Sequence, residues 1–427
     1  MKRLLIISYY WPPTGGSGVQ RWVKFTKYLS RMGWHCIVYT PSNPEQLARD
    51  ESLLTEVSPD VEVIKRPIME PYALYRKFFK ASSKGAGVNQ LNGQKKTFTQ
   101  RLAVMARGNL FVPDPRVSWV KPSVRFLARY LKDNPVDAVI TTGPPQSMHL
   151  IGLGLKERTG VRWMADFRDP WTEWYFFKHM GLFPWTAARH RRLEQKVLDS
   201  ADTIIAVTPM VQEDFQKRTS TPVVCFTNGY DDDDFNRTAP PLVPGRFSVV
   251  HTGIIASDGN PLRLWDVLAR KCAEDRGFKT QLRIRLAGKV DMEVVEALRV
   301  RGLMDNVDLL GYQPHYQTIA EQRSANLLIL PIREEPEAAK ILPGKIFEYL
   351  AARRPILGIG AENGASAALL KEVGAGVMYD WDRVEPVRNF IDSCWERHLS
   401  GDEAPCDGAI EQYSRLNITR RLVEEVL

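Results

Sequence analysis

Short apolar runs recur along the chain, separated by stretches whose apolar residues follow helical spacing. The β-rich runs are Arg3–Ser8, His35–Thr40, Val61–Ile64, Ala138–Thr142, Arg162–Asp166, Thr203–Val207 and Val223–Phe226, then Phe247–His251, Leu282–Leu286, Val307–Leu310, Asn326–Leu330 and Pro355–Ile359. Runs of this kind, alternating with helices, predict parallel sheets with crossover connections. Twelve strands exceed one ordinary doubly wound sheet, so the pattern predicts two α/β domains. Between the two groups, Asn236 to Gly245 carries three prolines and no periodicity, which reads as a linker. The expected domains are 1–235 and 246–404, and Ile410 to Leu427 is helical in pattern.

Composition adds bounds. A length of 427 residues exceeds one ordinary core, and an apolar fraction of 44% with 25% charged residues is that of a soluble globular protein. No apolar run reaches the roughly 18 residues of a spanning helix. The apolar N-terminus is too short for a targeting segment and runs straight into Tyr9-Tyr10-Trp11-Pro12-Pro13, so it is expected to be a first core strand. Five scattered cysteines without metal or redox spacing fit a reducing compartment. The net charge of +8 favours an anionic partner. Part of that charge lies between Pro71 and Pro113, where there is no Asp or Glu but eight Lys or Arg residues, interleaved with Tyr72, Tyr75, Phe78, Phe79, Phe98 and Phe111. The segment reads either as a solvated loop with helical ends or as attachment to an anionic membrane surface. The chain has no recognisable nucleic-acid module, so no nucleic-acid partner is expected.

The stretch Ser8-Tyr9-Tyr10-Trp11-Pro12-Pro13-Thr14-Gly15-Gly16-Ser17-Gly18-Val19-Gln20-Arg21-Trp22 joins the first strand to an amphipathic helix. It nearly matches a dinucleotide fingerprint, but Arg21 replaces the third glycine, and the second strand lacks the acidic residue that would hold a ribose. No Walker loop is present. What remains is a glycine turn that lets backbone approach a ligand, followed by a helix N-terminus suited to an anion. The alternative is a tight strand-to-helix turn with no ligand. In the second half, Leu342-Pro343-Gly344 makes a turn into a helix, and Pro355 ends that helix. Glu348 lies in the first two helical turns, where a carboxylate in an open crevice can accept both hydroxyls of a ribose. It could equally favour its own helix N-terminus.

These segments, together with Thr141 to Leu150, Ala165 to Trp171, Thr227 to Asp231 and Leu286 to Lys289, resemble the family 4 glycosyltransferases of GT-B architecture. The resemblance implies two Rossmann-like domains with parallel sheets facing across a cleft, and a C-terminal helix within 405–427 crossing back to the N-terminal domain. It implies a retaining transfer from a nucleotide-sugar donor that needs no metal or other cofactor. Glu348 would hold the donor ribose. Leu342, Pro343 and Gly344 would offer backbone N–H groups to the diphosphate, with Gly15, Gly16, Ser17 and Gly18 closing over it and Gly253 in the loop beside it. His149 would contact the donor sugar, with Lys345 and Lys289 as side-chain donors to the leaving group. A lone histidine also has a structural reading. Two departures stand out: Lys340 occupies the position of the family's first glutamate, with Glu337 three residues earlier as a substitute, and the run after Gly253 lacks the family's Arg and Lys. Lys289, Lys340, Lys345 or Arg263 must then supply the charge, or the backbone must do more.

Asp166, Arg168, Asp169 and Trp171 follow a strand end and are candidates for the acceptor side, with Trp174 and Tyr175. The competing reading is a structural ion pair and core aromatics. Asp231 to Asp234 could bind a cation but read better as a solvated loop. The resulting expectation is a cytoplasmic enzyme, peripheral on the inner face of the membrane. It would glycosylate a lipid-linked or membrane-borne glycan in cell-surface polysaccharide, lipopolysaccharide or glycoprotein glycan assembly. The alternatives are a nucleotide-sugar 2-epimerase of the same fold and a non-catalytic nucleotide-sugar-binding protein.

Overall fold

A computed structural model describes residues 1–45, 49–70, 98–173, 175–236, 240–402 and 404–427. The chain forms two compact units, one of residues 1–227 with 415–427 and one of residues 228–414. The part of the basic segment spanning 71–97 lies outside the described residues, as does Trp174. Among the described residues, no helix is long and apolar enough to cross a membrane.

The first unit holds a seven-stranded sheet in the order β3-β2-β1-β4-β5-β6-β7. Its strands are β1 (Arg3–Ile7), β2 (His35–Pro41), β3 (Glu62–Arg66), β4 (Ala138–Gly143), β5 (Trp163–Phe167), β6 (Thr203–Ala206) and β7 (Val223–Cys225). All pairings are parallel, with Leu5 opposite both Ile37 and Val139. Helices cover both faces, so the central strands are buried on both sides and are largely apolar, with Thr141, Thr142 and Asp166 the buried polar exceptions near the strand ends. The first helix, Ser17–Arg31, buries Val19, Trp22, Val23 and Leu29 in one core with Leu4, Ile6, Val38 and Ile140. The terminal helix, Arg415–Glu425, adds Ile418 and Leu422 to that same core, as does Val426 just beyond it. Arg162 ties down its end by donating to the Val426 carbonyl at 2.8 Å.

The second unit holds a six-stranded parallel sheet in the order β10-β9-β8-β11-β12-β13. Its strands are β8 (Phe247–Thr252), β9 (Leu282–Ala287), β10 (Val307–Gly311), β11 (Leu327–Pro331), β12 (Ile356–Ile359) and β13 (Gly376–Tyr379). The last strand escapes a sequence reading because it is short, glycine-initiated and at the sheet edge, where only part of it is buried. The proline-rich stretch after Asn236 falls inside this unit rather than between units. Tyr230 bridges Ser414 and Asp232 accepts from the Ser414 hydroxyl at 2.6 Å, so the chain has joined the second unit before it reaches those prolines.

In each sheet the strand order reverses once, between β1 and β4 in the first unit and between β8 and β11 in the second. Open α/β sheets leave a crevice for ligands at the carboxyl ends beside such a reversal. The loops that leave these four strands are Ser8–Gly16, Pro144–Gln146, Gly253–Pro261 and Ile332–Pro343. They contain Gly15, Gly16, Gly253, Glu337, Lys340, Leu342 and Pro343 among the residues singled out from the sequence.

Candidate functional site

In the first unit the site is built around a buried carboxylate. Asp166, at the end of β5, is fully buried. It accepts from Arg21 Nη2 at 2.9 Å, Trp22 Nε1 at 2.7 Å and Thr142 Oγ1 at 2.8 Å. Burial alone would raise its pKa. The Arg21 charge and these three donors outweigh burial and hold the carboxyl below its ordinary value. Arg21 also donates to the carbonyls of Phe226 and Thr227, both at 2.9 Å. This explains the departure from a dinucleotide fingerprint: a buried ion pair, not a third glycine, seats the helix on the sheet. Asp166 therefore positions the glycine turn and presents nothing to an acceptor.

The turn itself carries Gly16 at a φ of 120° as the N-cap, and no side chain caps the first-turn N–H groups. A Cβ on Gly18 would overlap the Arg168 guanidinium, so the glycine makes room for that side chain. Arg168 donates to the carbonyls of Gly143, at 3.3 Å, and Pro144. It thus joins the glycine turn, the β4 turn and the β5 end into one constellation, with Gly15, Ser17 and Asp169 on the same loops. Burial raises the Asp169 carboxyl pKa, opposed by Arg168. Trp171 is buried and donates through Nε1 to His190 Nδ1 at 3.0 Å, a core role.

His149 lies on the helix Ser147–Thr159 after β4 and is fully buried. Its ring stacks on Phe167 at 4.3 Å. Nδ1 is 2.9 Å from Thr141 Oγ1, which also accepts from Trp163 Nε1. The hydroxyl keeps a second lone pair, so which of the two groups donates across this contact is set by the histidine tautomer. Burial pushes the imidazole pKa down to about 3, so it is neutral at physiological pH. Among the described residues its Nε2 has no hydrogen-bond partner, which leaves one buried ring nitrogen beside Gly143.

In the second unit the site is built around a lysine. Lys345 opens the helix Gly344–Ala352, whose N-cap, Pro343, offers no side chain to the first-turn N–H groups. Its ammonium donates to His251 Nε2 at 3.2 Å, and His251 Nδ1 donates in turn to the Ile329 carbonyl at 3.0 Å. That chain fixes the His251 tautomer. Burial, helped by the Lys345 charge, drives the His251 pKa well below its ordinary value. Burial lowers Lys345 to about 8, opposed by Glu348. Among the described residues no carboxylate forms a salt bridge with this ammonium, and the Glu348 charge acts on it from one helical turn away. A Cβ on Gly253 would sit 2.9 Å from Lys345 Nζ, and one on Gly288 would overlap the Gly253 carbonyl. Both glycines have positive φ, and both leave backbone bare beside the lysine.

Glu348, one helical turn on, accepts from Gln322 Nε2 at 2.9 Å, and Gln322 also donates to Thr252 Oγ1 at 3.0 Å. The remaining Glu348 oxygen has no hydrogen-bond partner among the described residues. Lys289 is exposed, 3.7 Å from Asp291, on the loop after β9 that pairs with the Gly253 loop. Arg333, on the turn after β11, lies 3.3 Å from Asp258 of the Gly253 loop.

A sequence profile described as a glycosyl transferase 4-like domain matches residues 16–229, half of the chain. The chain belongs to this glycosyltransferase family. No curated protein matches the sequence. Solved structures match along the whole chain. A glycosyltransferase from Rickettsia africae ESF-5 is 15% identical, over 99% of this chain and 97% of that one, with a TM-score of 0.61. The lipopolysaccharide outer core galactosyltransferase WaaB, in its apo form, is 14% identical over 100% of both chains, with a TM-score of 0.57. TarM from S. aureus, in complex with Fondaparinux, alpha-GlcNAc-glycerol and UDP, is 10% identical over 99% of both chains, with a TM-score of 0.61. These likenesses establish the GT-B fold.

In this glycosyltransferase, Lys345, Glu348, Gly253, Leu342, Pro343, Gly344 and Lys289 fall on loops and a helix start at one sheet edge. Lys340 and Glu337 sit on the short turn Pro336–Lys340 that follows β11. Arg263 is on the outer face of a helix with Asp266 and supplies no charge there. Asp231 is not solvated: it is buried and caps a short helix, while Asp234 lies 3.0 Å from His315. Sequence reading missed Gln322, Arg333 and His251. His251 had a local signal, two residues before Gly253; Arg333 lies on the same loop as Glu337 and Lys340, and Gln322 reaches the site from a separate helix.

Proposed function

We propose that the protein transfers a sugar from a nucleoside-diphosphate donor to a lipid-linked or membrane-borne glycan, with retention of anomeric configuration. The observation that carries this reading is Lys345: an ammonium drawn into a helix N-terminus, against bare glycine backbone, with a neutral histidine as its hydrogen-bond acceptor. Such a site calls for an anion of more than one charge. A diphosphate there would meet the Gly344 and Lys345 N–H groups and the ammonium, and Glu348 would accept from the ribose one turn away. As the sugar leaves, charge grows on the diphosphate. Fixed donors that meet such charge typically contribute about 3 kcal/mol each. Lys345 and Lys289 are assigned this role, with Lys340 and Glu337 near the donor sugar. No metal is assigned to the step.

On the first unit, Gly15, Gly16, Ser17 and Gly18 offer the N–H groups at the start of the first helix, and neutral His149 offers Nε2 to a sugar hydroxyl. Arg168 and Asp169 are assigned to the acceptor. The acceptor class rests on the basic, aromatic stretch at 71–113, and a location at the cytoplasmic face of a membrane follows from it. Lipopolysaccharide or other cell-surface glycan assembly is the process proposed.

The test is a thermal-shift screen of UDP-, GDP- and other activated sugars, followed by product analysis with NMR assignment of the anomeric carbon. Stabilisation by one nucleotide class, lost in Lys345→Ala, and an α-to-α or β-to-β transfer are expected. Absence of any shift at millimolar nucleotide would overturn the reading. A C2-epimerised nucleotide-sugar formed without acceptor would replace it with the epimerase, and binding without transfer would replace it with the non-catalytic reading.

A further inference from the structure

We propose that Leu110, Phe183 and Trp185 form the insertion tip of a surface that docks the first unit on an anionic lipid leaflet. This deepens the membrane-attachment part of the proposed function and is independent of the transfer reaction. Leu110 is 74% exposed, Trp185 70% and Phe183 40%. The Phe183 and Trp185 rings stack at 4.8 Å, so two large apolar side chains stand together in solvent.

The knob is held in place. Asn109, near the end of the helix Phe98–Leu110, accepts from the Phe183 N–H at 2.8 Å and donates to the Gly181 carbonyl at 3.1 Å. It also donates back to the Met105 carbonyl at 2.7 Å. Gly108 lets the Leu182 side chain close in: a Cβ there would lie 2.8 Å from it. An aromatic pair braced in this way loses little side-chain freedom on insertion.

Charge identifies the partner. The acid-free stretch ending at Pro113 has a counterpart from Trp174 to Leu193, also without Asp or Glu, carrying Lys178, Arg189, Arg191 and Arg192. Through Asn109 the fold joins these two stretches, which are some seventy positions apart in sequence. On the helix Pro184–Ser200, Trp185, Arg189 and Arg192 recur at spacings of four and three, one exposed face, while Thr186, His190, Glu194 and Val197 face inward. Glu194, the carboxylate that ends the second stretch, is buried and taken up by Thr172 and Arg218. Asp114, which ends the first, accepts from the Ser147 N–H and hydroxyl. Exposed tryptophan beside arginine, on a helix stretch that carries no carboxylate from Trp185 to Arg192, fits the apolar-to-headgroup boundary of an anionic bilayer.

The full chain is tested by sedimentation with phosphatidylcholine vesicles containing 30% phosphatidylglycerol, and with phosphatidylcholine alone. Pelleting with the anionic vesicles only is expected, weakened at least tenfold in Phe183→Ser/Trp185→Ser and in Arg189→Glu/Arg192→Glu. Both variants change exposed residues, and melting temperature checks that they fold. Quenching by brominated lipid separates insertion from mere charge: it should fall in Trp185→Phe while pelleting persists. Pelleting unaffected by both double variants, equal pelleting with the two vesicle types, or none with either overturns the proposal. Nucleotide-sugar binding by the double variants should equal wild type, which keeps failure here distinct from failure of the donor-site reading.

Discussion

Titration of Lys345 gives the sharpest test of the donor site. Its ammonium lies in a half-buried position with a neutral acceptor, and burial lowers it from 10.5 to about 8. That displacement corresponds to roughly 3 kcal/mol of lost ammonium stability. With a pKa near 8, about nine-tenths of the free enzyme carries the charge at pH 7 and about one-tenth at pH 9. If the ammonium holds the diphosphate, kcat/KM for donor falls about tenfold per pH unit above 8. A bound diphosphate stabilises the ammonium, so the limb in kcat lies at higher pH than the limb in kcat/KM. Lys345→Arg places a guanidinium that does not titrate and should abolish the limb while lowering the plateau. His251→Leu removes the acceptor, leaves the ammonium less stabilised and should move the limb to lower pH. Unfolding cannot imitate the effect. Between about 8 and 10.5 the unfolded chain binds a proton at Lys345 that the native chain does not, so this group's contribution to stability rises with pH as activity falls. Initial rates from pH 6 to 10 at sub-saturating donor provide the assay. A flat kcat/KM up to pH 9.5, or a limb that persists unchanged in Lys345→Arg, would refute the assignment.

Three further outcomes are expected. His149, His190 and His251 are buried and neutral, with His149 lowered to about 3, His190 to about 4 and His251 well below its ordinary value, all chiefly by burial. The unfolded chain protonates all three below about pH 6.5. Stability should therefore be lost as pH falls from there, by roughly 1.4 kcal/mol per histidine per pH unit, read as melting temperature between pH 7 and 5. Asp166→Asn leaves Arg21 buried without its counter-charge and should cost about 3–5 kcal/mol by denaturant titration, a loss far beyond that of an exposed carboxylate. Glu348→Gln should weaken nucleotide-sugar binding roughly ten- to a hundredfold by calorimetry while removing the penalty for a 2′,3′-dideoxy donor; an unchanged affinity would exclude the ribose role.

The repeating apolar runs determined the parallel strands and the division into two α/β sheets, because a strand buried on both faces must be apolar along its length. Local chemistry likewise marked the glycine turn, the Pro343-Gly344 turn and Glu348, since turn and cap residues act within a few positions of themselves. Order across the sheets was not legible. Which strands flank the reversal, and hence which loops share an edge, depends on pairings between segments far apart, such as β1 with β4. For the same reason only the fold could show that Arg21 belongs to Asp166, that Gly18 is small for Arg168, and that Gln322 anchors Glu348. It also chose between the two readings of Asp166, whose charge is spent inside the unit in an ion pair with Arg21. The sequence states which residues are capable of holding charge; burial and partner decide whether that charge is taken up in a salt bridge, as at Asp166, or meets none among the described residues, as at Lys345.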